Sequence, residues 1–224
     1  GAALNPEVDA FLKKIGFRYT VGYGMTECGP IIAYAPFDDT RIASCGKIVK
    51  RLQLKIDSVD PYNVPGEIMV KGENVMLGYY KNEEATDAVI EQDGWMHTGD
   101  LAVVDREGFI YIKGRSKNMI LGPSGQNIYP EEIENKLNNL PFVSESLVVE
   151  SNSRLVALVF PDVDAAKSQG INEEELHSHF EKKRHEINKQ LPAFCQISAL
   201  KLRDEEFEKT PKKSIKRFLY QVEA

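Results

Sequence analysis

The chain has 224 residues, 42% hydrophobic and 28% charged, with a formal net charge of -6. That length suffices for one large or two small domains with a sizeable core, and the acidic balance argues against a nucleic-acid partner held by a broad basic surface. No apolar run approaches the roughly 20 residues that would cross a bilayer, and the opening "GAALNPEVDAF" lacks a cationic stretch followed by an apolar one, so no signal peptide is expected.

Pro6 to Ile15 reads as a helix, with Asn5 as N-cap, Pro6 at its first position and Gly16 as its stop. Val8, Phe11, Leu12 and Ile15 share one face and are expected in the core. "FRYTVGY" reads as a short strand running into "VGYGMTECGP". From Ser44 to Gly114 the texture turns β-rich: "LQLKIDSV", "GEIMVKG", "LAVVD" and "GFIYIKG" are short runs parted by Pro, Gly and Asp. "VVDREGFIYI" is a hairpin signal, and "NEEATDAVI" a short helix capped by Asn82. After Gly114, "YPEEIENKLNNL" predicts a helix opened by Pro130, and "VSESLVVESN" with "RLVALVFP" a strand pair. "NEEELHSHFEKKRHEINKQL" predicts a long amphipathic helix burying Leu176, Phe180, Ile187 and Leu191. "ISALKLRD" is a last strand, followed by a basic tail. The second texture suits a separate α+β module of about 100 residues, joined near Gly114.

Cys28, Cys45 and Cys195 form no C-x-x-C pair and read as reduced thiols of a cytoplasmic protein. His177, His179 and His185 lie in a charged helical stretch and are expected to be solvated, so no metal site built from side chains alone is expected.

Four stretches carry possible chemistry. In "YGMTE", Tyr23 offers an aromatic face, Gly24 close backbone approach, Thr26 a hydroxyl and Glu27 a hard oxygen for Mg²⁺; a structural turn has the same composition. In "DGWMHTGDLA", Asp100 at a strand end suits two ribose hydroxyls, or else bonds its own turn. In "IKGRSKNMILGPSGQNIYPEEIE", Arg115 suits a ribose or phosphate, and the polar stretch after it a hinge. In "EKTPKKSIKRF", five cations lie between Lys209 and Arg217, a run whose ordinary fate is a solvated helix end.

In this order and spacing the stretches resemble the adenylate-forming enzymes: acyl-CoA synthetases, firefly luciferase and the adenylation domains of peptide synthetases. The residues that carry the resemblance are Tyr23-Gly24-Met25-Thr26-Glu27, Gly66-Glu67-Ile68, His97-Thr98-Gly99-Asp100, Gly114-Arg115-Ser116-Lys117 and Pro130-Glu131-Glu132-Ile133-Glu134. The tail and "GENVMLGYYKN" look most like long-chain fatty acid–CoA ligases. The resemblance implies a fold of mixed α/β and α+β class. Residues 1–113 would be the β-rich end of a large AMP-binding domain, 114–118 a hinge containing Lys117, and 119–224 a small mobile α+β domain. It implies that Tyr23 holds adenine, with Gly24 letting the backbone approach the nucleotide, Thr26 the α-phosphate, Glu27 Mg²⁺, and Asp100 with Arg115 the ribose. It also implies a two-step reaction, in which a fatty acid and ATP give acyl-AMP and pyrophosphate before CoA displaces AMP. Gly125 is the candidate glycine beside the pantetheine channel.

Two departures stand out. The family's Ser/Thr/Gly-rich loop for the β- and γ-phosphates does not occur, so the chain reads as the C-terminal part of a longer enzyme and is expected to be inactive alone. Ser214 occupies the position of the family's tail lysine; Lys213, one residue away, is the substitute, ahead of Lys212 and Lys216. The alternative readings are an enzyme that loads a carrier protein, and a non-catalytic adenylate-binding relative. Membrane association is not indicated, and the residues fix no oligomeric state.

Overall fold

The computed structural model describes residues 4–211 and 213–220, which leaves Lys212 outside the described residues. The chain divides between Lys117 and Asn118 into two compact units.

The first unit opens with α1 (Pro6–Lys14), whose Asn5 side chain accepts from the Glu7 and Val8 N–H groups. The expected core stripe faces out: Val8, Phe11 and Ile15 are each about half exposed, and Asp9 is the buried residue of the helix. The reason is polar. Ala43 N–H donates to Asp9 Oδ2 at 2.8 Å, Tyr19 OH donates to Asp9 Oδ1, and Lys13 donates to the Thr40 carbonyl. A buried carboxylate must keep its donors, so these bonds turn the Asp9 face inward and the apolar stripe outward.

The strand expected at 17–23 is shorter and later, β1 (Val21–Gly24). It pairs antiparallel with β2 (Ile31–Ala35), which pairs with β3 (Lys47–Ile48). A second antiparallel sheet follows, with β4 (Leu52–Asp57) beside β5 (Gly66–Gly72). The short α2 (Glu83–Asp87), capped by Asn82, precedes β6 (Met96–Val104) and β7 (Ile110–Arg115), which complete the order β4-β5-β6-β7. The expected turn between β6 and β7 is present, and Asp105 Oδ1 accepts from the Glu107 and Phe109 N–H groups at 2.9 Å. Ile32, Ala33, Ile68, Val70, Met96 and Ile110, all fully buried, centre the core. Burying a large apolar side chain contributes roughly 1.5–3 kcal/mol.

The second unit begins with a small hairpin that periodicity does not reveal, β8 (Ile120–Leu121) with β9 (Asn127–Ile128). Next come α3 (Pro130–Leu137) and an antiparallel pair, β10 (Val143–Ser151) and β11 (Arg154–Pro161). Asn152 and Ser153 make the turn with φ of 50° and 59°, the left-handed pair that suits a two-residue hairpin. Then α4 (Val163–Ser168) and α5 (Glu173–Asn188) carry the chain across to β12 (Ile197–Leu202), parallel to β11; a parallel neighbour needs such a crossover. Asn172 and Glu175 form a capping box at the start of α5.

Both faces of this sheet are covered. Ile133 and Leu137 of α3 and Leu176, Phe180 and Ile187 of α5 pack on one face. Phe207 and Tyr220 of the tail pack on the other, against Leu147, Val149, Val156 and Leu158. The basic tail is therefore not a solvated helix end but a core element, and among its described residues the helical piece is the 3-10 turn Arg217–Leu219. Nor is His179 solvated: its ring lies edge-on between Phe142 and Phe180, at 5.5 and 5.7 Å, and burial lowers its pKa. The three cysteines are free thiols, and among the described residues no helix is long and apolar enough to cross a membrane.

Candidate functional site

In the first unit the site is assembled from backbone irregularities. β1 ends at Gly24, where a Cβ would stand 1.9 Å from the Pro30 carbonyl oxygen. Met25 N–H donates to that same oxygen at 2.8 Å. Gly24 is thus required by the loop closing on itself, rather than by a ligand alone. Asn74 Nδ2 braces the loop by donating to the Cys28 and Ile31 carbonyls at 2.7 and 3.0 Å. Thr26 and Glu27 lie in the 3-10 turn Thr26–Cys28, Thr26 exposed and Glu27 half-buried. Tyr79 OH donates to Glu27 Oε1 at 3.0 Å, and Met76 N–H to the Glu27 carbonyl at 2.8 Å.

His97-Thr98-Gly99-Asp100 is not a turn before a strand; it lies inside β6. His97 and Leu101, four residues apart, face Met69 and Glu67, two apart on β5. The surplus makes a bulge, a device that re-aims side chains. Gly99 sits there with φ 71°, and its N–H donates to Glu67 Oε1 at 2.8 Å. Thr98 Oγ1 donates to the Ile68 carbonyl and accepts from Asp100 N–H. His97 lies between Glu67 and Glu91, at 2.9 and 3.0 Å, and these carboxylates raise its pKa, Glu67 foremost.

The bulge brings three sequence stretches together. Asp100 faces Arg115 across β6 and β7, and Arg115 Nε donates to Asp100 Oδ1 at 2.8 Å. Tyr23 OH donates to Asp100 Oδ2 at 2.6 Å. Burial first, then the Asp100 charge, pushes the Tyr23 phenol far above its ordinary pKa. Tyr23 therefore remains a neutral donor. Tyr23 and Arg115 thus each take one oxygen of the same, nearly buried carboxylate.

Among the described residues no group of three or more His, Cys, Asp and Glu could hold a metal. Glu27 nonetheless fits a Mg²⁺ ion whose other ligands are phosphate and water oxygens: Tyr79 bonds one carboxylate oxygen, and the residue is half-exposed. Tyr79, Asn74 and Glu67 support the site but carry no local signal for that role, because each acts across long sequence separations.

Of the remaining candidates, Lys117 lies exposed in the 3-10 turn Ser116–Asn118, the last residue of the first unit. In the second unit Gly125 has φ 81° in the β8–β9 turn, with nothing within 4 Å of a Cβ, so the turn alone accounts for this glycine. Lys213 also has positive φ, 61°, beside exposed Ser214. Lys209 pairs with Glu145 at 2.8 Å and Lys216 with Glu208 at 3.0 Å; among the described residues Lys213 makes no ion pair.

The AMP-binding enzyme family matches residues 1–80, and the AMP-binding enzyme C-terminal domain matches residues 117–221. A long-chain-fatty-acid–CoA ligase of Escherichia coli O6:H1 is 43% identical over 146 residues, which are 63% of this chain and 26% of that protein. A 2-succinylbenzoate–CoA ligase of Bacillus cytotoxicus is 40% identical over 188 residues, 82% of this chain and 38% of that protein. The chain thus spans well under half the length of these curated relatives. Among solved structures, O-succinylbenzoate coenzyme A synthetase (MenE) from Bacillus subtilis, in complex with ATP and magnesium ion, superimposes with a TM-score of 0.80 at 27% identity. That match covers 100% of this chain and 45% of the other.

Proposed function

This chain belongs to the AMP-binding enzyme family, and from that premise we propose that it supplies the ribose-binding and hinge regions of an ATP-dependent acid–CoA ligase acting on long-chain fatty acids. The observation that carries the reading is the Asp100 carboxylate, held at 2.6 Å by Tyr23 OH and at 2.8 Å by Arg115 Nε. Three motifs distant in sequence thereby present one fixed acceptor. A preorganised acceptor binds without reorganising when its ligand arrives.

In the proposed first step a fatty-acid carboxylate oxygen attacks the α-phosphorus of ATP, and pyrophosphate leaves. In the second the CoA thiolate attacks the acyl carbonyl carbon, and AMP leaves. Asp100 accepts the ribose hydroxyls, Arg115 and Tyr23 keep it aimed, and Thr26 donates its exposed hydroxyl to the α-phosphate. Glu27, steadied by Tyr79, would hold Mg²⁺, which when bound draws charge off the triphosphate. Lys213 supplies the ammonium for the first step in place of the serine at 214. The 114–118 stretch is the hinge between steps, and the loop around Gly125 serves the CoA side. The whole activity belongs to the complete product of the reading frame, in a cytoplasmic setting.

The fatty-acid assignment draws support from the relative in Escherichia coli. A second reading, an aromatic acid such as 2-succinylbenzoate, is favoured by the longer aligned share of the Bacillus relative. Competition between the two acids for CoA-thioester formation separates these readings. The proposal expects long-chain fatty acids to lead in kcat/KM by about tenfold or more, a difference of about 1.4 kcal/mol in transition-state binding. Parity, or a lead for 2-succinylbenzoate, overturns it.

A further inference from the structure

The loop that carries Lys213 is a small closed hairpin. Lys209 and Ile215 form an isolated antiparallel bridge, Thr210 N–H donates to the Ser214 carbonyl at 2.8 Å, and Lys213 N–H donates to the Thr210 carbonyl at 2.8 Å. With φ of 61°, Lys213 holds a conformation that non-glycine residues adopt only when their surroundings impose it. Where its ammonium points therefore depends on how this hairpin is fastened at its base.

The base contains a buried ion pair. Arg217, two residues beyond Ile215, donates through Nη2 to Glu134 Oε2 and through Nη1 to the Val148 carbonyl at 3.4 Å. Val148 N–H donates to Glu134 Oε1 at 2.7 Å. The Glu134 side chain is only 10% exposed. Burial first, with a smaller push from the Glu131 charge, raises its carboxyl to about 7 against the downward pull of Arg217 and the Val148 N–H. Tyr220 adds an apolar anchor, packed edge-on against Phe207 at 5.1 Å while its hydroxyl accepts from Glu208 N–H at 2.6 Å. Tyr220 and Phe207 already cover this face of the sheet. A buried ion pair generally adds less stability than apolar residues of similar volume, whereas its fork of donors fixes direction.

We propose that Glu134 and Arg217 are positioning residues for the tail hairpin, setting the lysine-bearing turn over the edge formed by α3 and β10 so that Lys213 can serve the adenylation step. This rests on the ligase reading above. It goes beyond that reading by assigning the pair an effect on one half-reaction only: the ammonium answers charge that develops when the carboxylate attacks ATP and is not needed when CoA attacks a preformed acyl-adenylate.

The test uses the complete product of the reading frame and three variants: Arg217→Met, the double variant Glu134→Gln with Arg217→Met, and Arg217→Lys. The double variant removes both charges of the Glu134–Arg217 pair, leaving only the more exposed Glu131, 4.0 Å from Arg217, and so keeps the proposal testable if the single variant fails to fold. Four quantities are read: pyrophosphate exchange into ATP, thioester formation from supplied acyl-adenylate and CoA, tryptic cleavage within 209–216, and the thermal midpoint. In the folded double variant, exchange is expected to fall about ten- to a hundredfold, as small displacements of catalytic groups do, while thioester formation changes by less than about twofold. Tryptic cleavage within 209–216 is expected to accelerate about tenfold, and Arg217→Lys to recover part of the exchange. Equal loss in both half-reactions, or unchanged exchange with unchanged cleavage, overturns the proposal. A wild-type product that exchanges with no acid overturns the ligase reading instead, and the cleavage rate then decides whether the pair orders the hairpin.

Discussion

The Asp100 bulge and the Lys213 hairpin hold charged groups by opposite means. Asp100 sits within a four-stranded sheet, nearly buried, and is fixed by donors from β1 and β7. Lys213 sits on an exposed turn whose order comes from its base, at Arg217, Glu134 and Tyr220. A group needed in one place throughout a reaction suits a sheet, whose cross-strand bonds resist displacement. A group needed for one step suits a loop, held well enough to aim it and loosely enough to withdraw.

That contrast is sharpest in the glycines. Gly24→Ala forces a Cβ to within 1.9 Å of the Pro30 carbonyl and is expected to lower unfolding free energy by about 2–3 kcal/mol, read by chemical denaturation. Gly125→Ala meets nothing within 4 Å and bears only the strain of φ 81°, so a loss of about 1 kcal/mol is expected. Equal losses at the two positions would break the distinction between a closed loop and an open turn.

The smallest effect concerns protonation beside the bulge. His97 is raised above the ordinary histidine value of about 6.5, chiefly by its hydrogen bond to Glu67, with Glu91 on its other nitrogen. Its stabilising contribution is fully present below the unfolded value and is lost as pH rises through the higher folded value. Glu67→Gln removes the leading cause, so the His97 resonance should titrate at lower pH in an NMR titration. An unshifted midpoint would show that Glu67 does not couple His97 to the Gly99 turn.

How much of this could be read from the residues follows from the range of each interaction. The strands β4, β5 and β7, the apolar end of β6, the β10–β11 pair and the helix α5 were legible, because alternation, turn residues and helical spacing act within a few positions. Tyr23, Asp100 and Arg115 were legible as separate motif members, and only the sheet register shows them as one hydrogen-bonded set. The outward stripe of α1 was not legible, since helical spacing identifies an apolar face without saying what meets it. There Asp9, bonded to Ala43 N–H thirty-four residues away, decides the orientation. The tail misled for a similar reason: its charges dominate its composition, while Phe207, Ile215 and Tyr220 determine its packing. Glu67, Asn74 and Tyr79 were legible only as members of quoted stretches; their hydrogen bonds span 30 residues or more, so local spacing does not show what they hold.

The most direct test of the central claim is exchange of labelled pyrophosphate into ATP by the complete product of the reading frame, with and without added acid, for wild type and Asp100→Ala. The account predicts acid-dependent exchange in wild type and a loss of about a hundredfold in the variant, which removes the preorganised acceptor that Tyr23 and Arg115 hold. Exchange that is absent with every acid, or undiminished in a folded Asp100→Ala protein, would contradict it.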